Sequence, residues 1–240
     1  MSINQTTIDL ITENAKEAKK AWKMFAHQEK LRESFHLRPT TSGVTIVSTL
    51  PNAPMRGIEI KARELAEKLE GIVKHKELLL SVDPEKVRIC LSDIGFKSRR
   101  TTACREEDVQ AMFIRGMISD QESYENIKFV ASELTLDRQH RFDVVGYKDG
   151  VLFIFELKIA RSFEGIGQTA QYVDFVRENK AEFLKVLSCY PHYSVTDFDS
   201  VQGIAVLRYA ANATSKLAII AKKVNTGLWY YEPALSFQKV

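Results

Sequence analysis

Between residues 5 and 35 the apolar positions Ile8, Ile11, Ala15, Ala18, Trp22 and Phe25 recur every three or four residues, with Lys16, Lys19, Lys20 and Lys23 elsewhere around the turn. That period predicts a long amphipathic helix. A second helix is predicted from about 57 to 79 on the spacing of Ile58, Ala62, Leu65, Leu69 and Ile72, and the run 44–50 between them alternates like a strand. Pro39, Pro51 and Pro54 separate these pieces. Each apolar stripe needs a partner, supplied either by the rest of the chain or by a second chain in a coiled-coil type of dimer.

A strand is predicted at 87–91, and the polar, basic stretch 92–102 then reads as a boundary. The junction is placed near residue 100, dividing the chain into an N-terminal mainly helical region, 1–100, and a second domain, 101–240. Beyond the junction the order is a helix at 106–118, strands at 127–136, 141–147 and 151–159, and a helix at 163–187. A strand at 203–209, a helix at 214–224 and a strand at 228–231 follow. This α-β-β-β-α-β-α-β succession predicts an α/β fold with a mixed central sheet flanked by helices.

The strand at 151–159 carries the candidate chemistry. Glu-x-Lys occurs four times, at Glu17/Lys19, Glu59/Lys61, Glu156/Lys158 and Glu178/Lys180, but only Glu156 and Lys158 fall on a predicted strand. Strand residues two apart share a face, so both side chains project to one side while Phe155, Leu157 and Ile159 project to the other. Two ionisable groups on an otherwise apolar strand are costly unless they are paired or bind something. Asp143 lies thirteen residues before Glu156, across a Lys148-Asp149-Gly150 turn suited to a hairpin. The hairpin can bring both carboxylates together, where they repel unless a hard cation sits between them. Mg²⁺ or Mn²⁺ suits such a pair. The alternative is a plain salt bridge from Lys158 to one or both acids.

Asp143, Glu156-Leu157-Lys158, and Gln168 with Tyr172 downstream resemble the PD-(D/E)xK nuclease superfamily, most closely the C-terminal nuclease domain of archaeal and actinobacterial mismatch-specific endonucleases. Members have an acidic helix, an Arg- or Gly-hydrophobic-Asp strand, a hydrophobic strand ending in Glu-hydrophobic-Lys, and a helix with Gln-x-x-x-Tyr. The corresponding stretches here are 106–110, Arg141-Phe142-Asp143, 155–158 and 168–172, and the similarity spans about residues 104–232. Phe142 stands where the superfamily's name has Pro, and residues 1–100 match nothing in the family pattern.

The resemblance implies a restriction-endonuclease-like core and Mg²⁺-dependent hydrolysis of DNA. Asp143, Glu156 and the Leu157 carbonyl would hold the metal, and Lys158 would hold and help deprotonate the attacking water. Gln168 and Tyr172, four apart on one helix face, would direct an amide and a hydroxyl toward phosphate or the lysine. Glu106 borders the apolar face of its helix while Glu107 points away, which favours Glu106 as the outer acid. Glu133 is a further candidate, with a surface carboxylate on an edge strand as its plainer explanation, and His140 could touch the rim of the site, with a solvated turn residue as its plainer reading.

Composition narrows the remaining classes. The chain has 240 residues, 45% hydrophobic and 27% charged, enough to bury a core without staples. Cys90, Cys104 and Cys189 form neither a disulfide framework nor a CxxC pair, which points to a reducing, cytoplasmic setting. No run reaches the ~20 apolar residues of a membrane span, so no membrane partner is expected. The net charge of +3 is mild, and Lys97-Ser98-Arg99-Arg100 with Arg105 is the densest basic stretch, either a solvated linker or a phosphate contact. The five histidines show no metal-ligand spacing. A non-cleaving nucleic-acid-binding module of the same fold, and a ribonuclease or phage-defence nuclease, are the competing readings.

Overall fold

A computed structural model describes residues 3–24, 35–49, 106–137, 139–159, 163–208, 214–231 and 237–239. The predicted helix at 57–79, the strand at 87–91 and the junction near residue 100 lie outside them.

α1 (Gln5–Met24) begins where Asn4 accepts the Thr6 N–H on its side-chain oxygen at 2.9 Å, an N-cap that satisfies one of the first turn's orphan donors. Ile8, Ile11, Ala15, Ala18 and Trp22 are all buried. This stripe is therefore taken up within the chain and is closed to a second copy. Ile8, Ile11 and Ala15 join the main core, and Lys19 donates to the Ser188 carbonyl and to Ser194 Oγ, at 3.2 and 2.6 Å. The helix prediction to residue 35 runs too far, because β1 (Phe35–Thr40) starts there and pairs antiparallel with β2 (Gly43–Ser48). Pro39 disguises β1: proline reads as a break, yet a strand with an open edge accommodates it.

α2 (Glu106–Ser119) precedes a three-stranded meander of β3 (Lys128–Thr135), β4 (Arg141–Lys148) and β5 (Val151–Lys158). Asp149 and Gly150 both take positive φ, 47° and 80°, as a two-residue hairpin turn requires. Then come α3 (Phe163–Glu178), α4 (Lys180–Leu187), β6 (Ser200–Arg208), α5 (Thr214–Lys223), β7 (Thr226–Tyr231) and the short β8 (Phe237–Lys239). The sheet order is β3-β4-β5-β6-β7-β8, antiparallel to β5, parallel through β7, and antiparallel again at β8. This is the mixed, helix-flanked α/β sheet that the element order predicts, with β8 in addition.

The predicted single helix at 163–187 is two helices. Asn179, with φ −120°, leaves helical geometry and donates its side-chain amide to the Phe175 carbonyl at 2.8 Å, closing α3 before α4 starts. α3 lies tight on the sheet because β6 offers Gly203, where a Cβ would come within 2.5 Å of Thr169 Cγ2.

Both faces of β5 are covered. Leu152 and Ile154 join the core shared with α1, α3 and α4, while Phe153, Phe155 and Leu157 join the one under α2 with Phe113 and Trp229. A strand buried on both faces gives a nearly continuous apolar run, which is how this one reads.

Where β1 meets the sheet, His36 is almost fully buried. Its Nε2 lies 2.6 Å from Ser132 Oγ, its Nδ1 has no hydrogen-bond partner, and Phe129 and His192 pack on its ring. Burial, with Arg38 and His192 nearby, holds it well below the usual 6.5, so it is neutral in the fold. The unfolded chain then binds the extra proton first. Stability should be complete above pH 6.5 and should fall as pH drops below it, by up to about 1.4 kcal/mol per pH unit. In denaturant titrations from pH 7 to about 5, the stability of the parent relative to His36→Leu should fall toward acid. A pH-independent difference would show that His36 takes up its proton in the fold as readily as in the unfolded chain.

Candidate active site

β4 and β5 pair as far as Val144↔Phe155, and no ladder pair follows, although β4 extends back to Arg141 and β5 on to Lys158. At that point a side chain replaces the backbone partner. Asp143 Oδ2 accepts the Leu157 N–H at 2.9 Å, while the Asp143 main-chain carbonyl accepts from Gln110 Nε2 of α2, also at 2.9 Å. Asp143 is 5% exposed and Glu156 1%.

Glu156 and Lys158 continue the alternation of Leu152 and Ile154, on the α3 side of the sheet. Lys158 Nζ lies 2.7 Å from Glu156 Oε1 and 3.7 Å from Glu106 Oε1, at the start of α2. Its stem runs under the first turn of α3, where a Cβ on Gly165 would sit 3.0 Å from Lys158 Cγ. Tyr231 Oη donates to the Lys158 carbonyl at 3.3 Å. Lys158 therefore sits where β5, α2, α3 and β7 converge.

The electrostatics follow from this crowding. Burial pushes the Asp143 carboxyl well above the usual carboxylate range, the Glu156 charge adds to the rise, and the Leu157 N–H opposes it. Glu156 is likewise raised by burial, against the hydrogen bond and charge of Lys158. Burial acts to lower Lys158, but Glu156, Glu106 and Asp143 outweigh it and leave the ammonium raised. One charged lysine thus faces two buried carboxylates that both resist ionisation. Glu156 Oε2 is buried with no hydrogen-bond partner at all.

That orphan oxygen, with a second carboxylate beside it, is chemically compatible with a divalent cation. A lone pair stripped of water and given no donor is stabilised by a metal ion, and two carboxylates suit Mg²⁺, which keeps several waters of its own. Among the described residues no group of three or more His, Cys, Asp or Glu side chains is arranged to hold a metal ion, so any cation here would rest on two side-chain carboxylates.

Of the sequence-derived candidates, Asp143, Glu156, Leu157, Lys158 and Glu106 come together through these contacts. Tyr172 is buried on α3, and its hydroxyl is raised by burial and by the Glu156 and Asp143 charges, against hydrogen bonds from Gln168 and the Arg141 backbone. Gln168 donates to Tyr172 Oη at 2.6 Å, so the two act as one unit. His140 is no solvated turn residue: it stacks on Phe175 at 3.8 Å and bonds Asp137.

Two residues that sequence reasoning left without a role adjoin the site. Gln110 bridges the Asp143 carbonyl and Glu133 Oε1, the latter at 2.7 Å, and Arg141 Nε lies 3.1 Å from Glu133 Oε2. Glu133 itself is held between two elements. An Arg two residues before a candidate ligand on one strand is the signal that could have pointed to this cluster.

No family model matches the chain, and comparison with curated proteins and with solved structures returns no significant match. Among the described residues, no helix is long and apolar enough to cross a membrane.

Proposed function

We propose that this protein is a metal-dependent nuclease of the PD-(D/E)xK type that hydrolyses DNA phosphodiester bonds. The observation that carries the reading is the buried Asp143/Glu156 pair, with Glu156 Oε2 lacking any donor, beside the ammonium of Lys158. The succession α2-β3-β4-β5-α3-β6, with the acid, the Asp, the Glu-Leu-Lys and the Gln/Tyr pair on the elements that the family pattern assigns them, supports the restriction-endonuclease-like reading.

Asp143 and Glu156, with the Leu157 carbonyl, would hold Mg²⁺ or Mn²⁺, which when bound would lower the pKa of water and neutralise charge developing on the phosphate oxygens. The rest follows from the chain's own groups. Once the carboxylate charge is taken up, the causes that raise Lys158 are removed while burial, which lowers it, remains. Nζ can then accept a proton from the attacking water. Tyr172 and Gln168 would orient a phosphate oxygen or that lysine, and Glu106 would limit how far Lys158 strays.

One such site cuts one strand, so a double-strand break would take two chains. Pairing would fall to surfaces other than the buried stripe of α1, and residues 1–100 are proposed to serve pairing or DNA contact. The full chain should be incubated with linear duplex, single-stranded, mismatched and branched DNA and with RNA, with Mg²⁺, Mn²⁺, Ca²⁺ or chelator. Cleavage of DNA that needs Mg²⁺ or Mn²⁺ and fails in Ca²⁺ supports the reading. Cleavage confined to RNA moves the substrate class, and no cleavage in any arm removes it.

Metal binding should also be proton-linked. Both carboxylates are raised in the metal-free fold, and only their ionised forms bind a cation. Affinity for Mg²⁺ should therefore fall as pH drops through those raised values, with protons released on binding. Calorimetry in buffers of different ionisation enthalpy measures this, and a buffer-independent heat would count against ligation by these residues.

A further inference from the structure

We infer that Arg141 is a phosphate-binding residue of the site, aimed by Glu133. The inference rests on the nuclease reading and adds the group that grips the substrate backbone beside the cleaved bond. In β3 the pairs Ser132↔Val144 and Leu134↔Phe142 flank Glu133 and place it opposite Asp143. Yet Glu133 takes φ +50°, a left-handed conformation uncommon for a non-glycine residue, while the pairing keeps its register on either side of it.

Both of its oxygens are engaged. Gln110 Nε2 donates to Oε1 at 2.7 Å and holds the Asp143 carbonyl with the same amide, and Arg141 Nε approaches Oε2 at 3.1 Å. Glu133 is therefore committed to these partners.

The consequence falls on Arg141. Its guanidinium is fixed at Nε, its side chain is 63% exposed, and it lies two residues from Asp143 on the same strand. Fixing Nε leaves the two terminal nitrogens as a planar fork, the shape that takes a phosphate by two parallel hydrogen bonds. Lys158 is tied to Glu156 and Glu106, so it is poorly placed to serve a second phosphate. A polyanion approaching four acidic side chains, Glu106, Glu133, Asp143 and Glu156, needs an added positive charge on its path. Arg141 supplies one, and its charge also favours the ionised form of Glu156.

The test uses the full chain, a labelled short DNA duplex held in Ca²⁺ for binding across a salt series, and Mg²⁺ for steady-state cleavage. Arg141→Gln should weaken binding about tenfold, lower the log-log salt slope by about one, and raise KM more than it lowers kcat. Arg141→Lys should keep the slope but recover only part of the affinity, because the charge returns without the fork. Glu133→Gln should raise KM with the slope unchanged, since the guanidinium is present but no longer aimed. Lys222→Gln, an exposed cation on α5, serves as the control and should match the parent. The inference is overturned if Arg141→Gln keeps the parental slope and KM, or if its only change is a lower melting temperature. A parent that binds and cuts while Arg141→Gln behaves like it sinks this inference alone. A parent that neither binds nor cuts overturns the inference together with the nuclease reading.

Discussion

Asp143→Asn and Glu156→Gln should each reduce cleavage by about three orders of magnitude or more, because each removes a charge from the pair proposed to hold the metal. A metal ion's stabilisation of a phosphoryl transition state amounts to several kcal/mol, and each ~1.4 kcal/mol is tenfold in rate. The same substitutions should differ in their effect on the metal-free fold. Asp143 is raised first by burial and then by the Glu156 charge, and Asn can still accept the Leu157 N–H, so Asp143→Asn should gain stability. A gain of ~1 kcal/mol would raise Tm by about 2–4 °C in a chain of this size. Glu156→Gln relieves the same repulsion but leaves Lys158 without its 2.7 Å partner, so its gain should be smaller or absent. Cleavage assays and thermal melts in chelator separate these effects. Parental activity in either variant would show that the carboxylate pair is not the metal site.

Lys158→Ala should lose about 10²- to 10⁴-fold in turnover, the usual range for a positioned acid–base group, while still binding Mg²⁺ and DNA through the carboxylates and the remaining cations. Its removal also withdraws the group that most lowers Glu156 and whose charge adds, less strongly, to the Leu157 N–H in lowering Asp143. Both carboxyls should then rise further, and Mg²⁺ binding should need a higher pH than in the parent. Titration of Mg²⁺ at several pH values, with turnover measured beside it, tests both parts. Loss of Mg²⁺ binding at every pH would make the lysine a structural member of the site and not a base.

These expectations combine two kinds of information. The strands 141–148 and 151–158, the Asp149-Gly150 turn and the helices on either side follow from local rules, because the turn's positive φ values and the period of apolar residues are properties of a few neighbouring residues. Local rules misjudge β1, where Pro39 hides a strand, and Asn179, where one side-chain hydrogen bond ends a helix whose apolar pattern continues. They also leave the partner of α1 open, since a buried stripe and a dimer seam have the same period.

Asp143, Glu156 and Lys158 were legible for the same reason as the strands that carry them: charges set into an apolar, two-sided strand stand out against the pattern. That alternation determined which side of β5 the acid and the lysine share. Their separation from solvent, the orphan oxygen on Glu156 and the raised carboxyls depend on how α2, α3 and β7 close over the end of β5. Gln110 reaches Glu133 and the Asp143 carbonyl, 23 and 33 positions away, and Glu133, in a left-handed backbone conformation, in turn holds Arg141. No local periodicity records such a contact, because it exists only after three elements have packed.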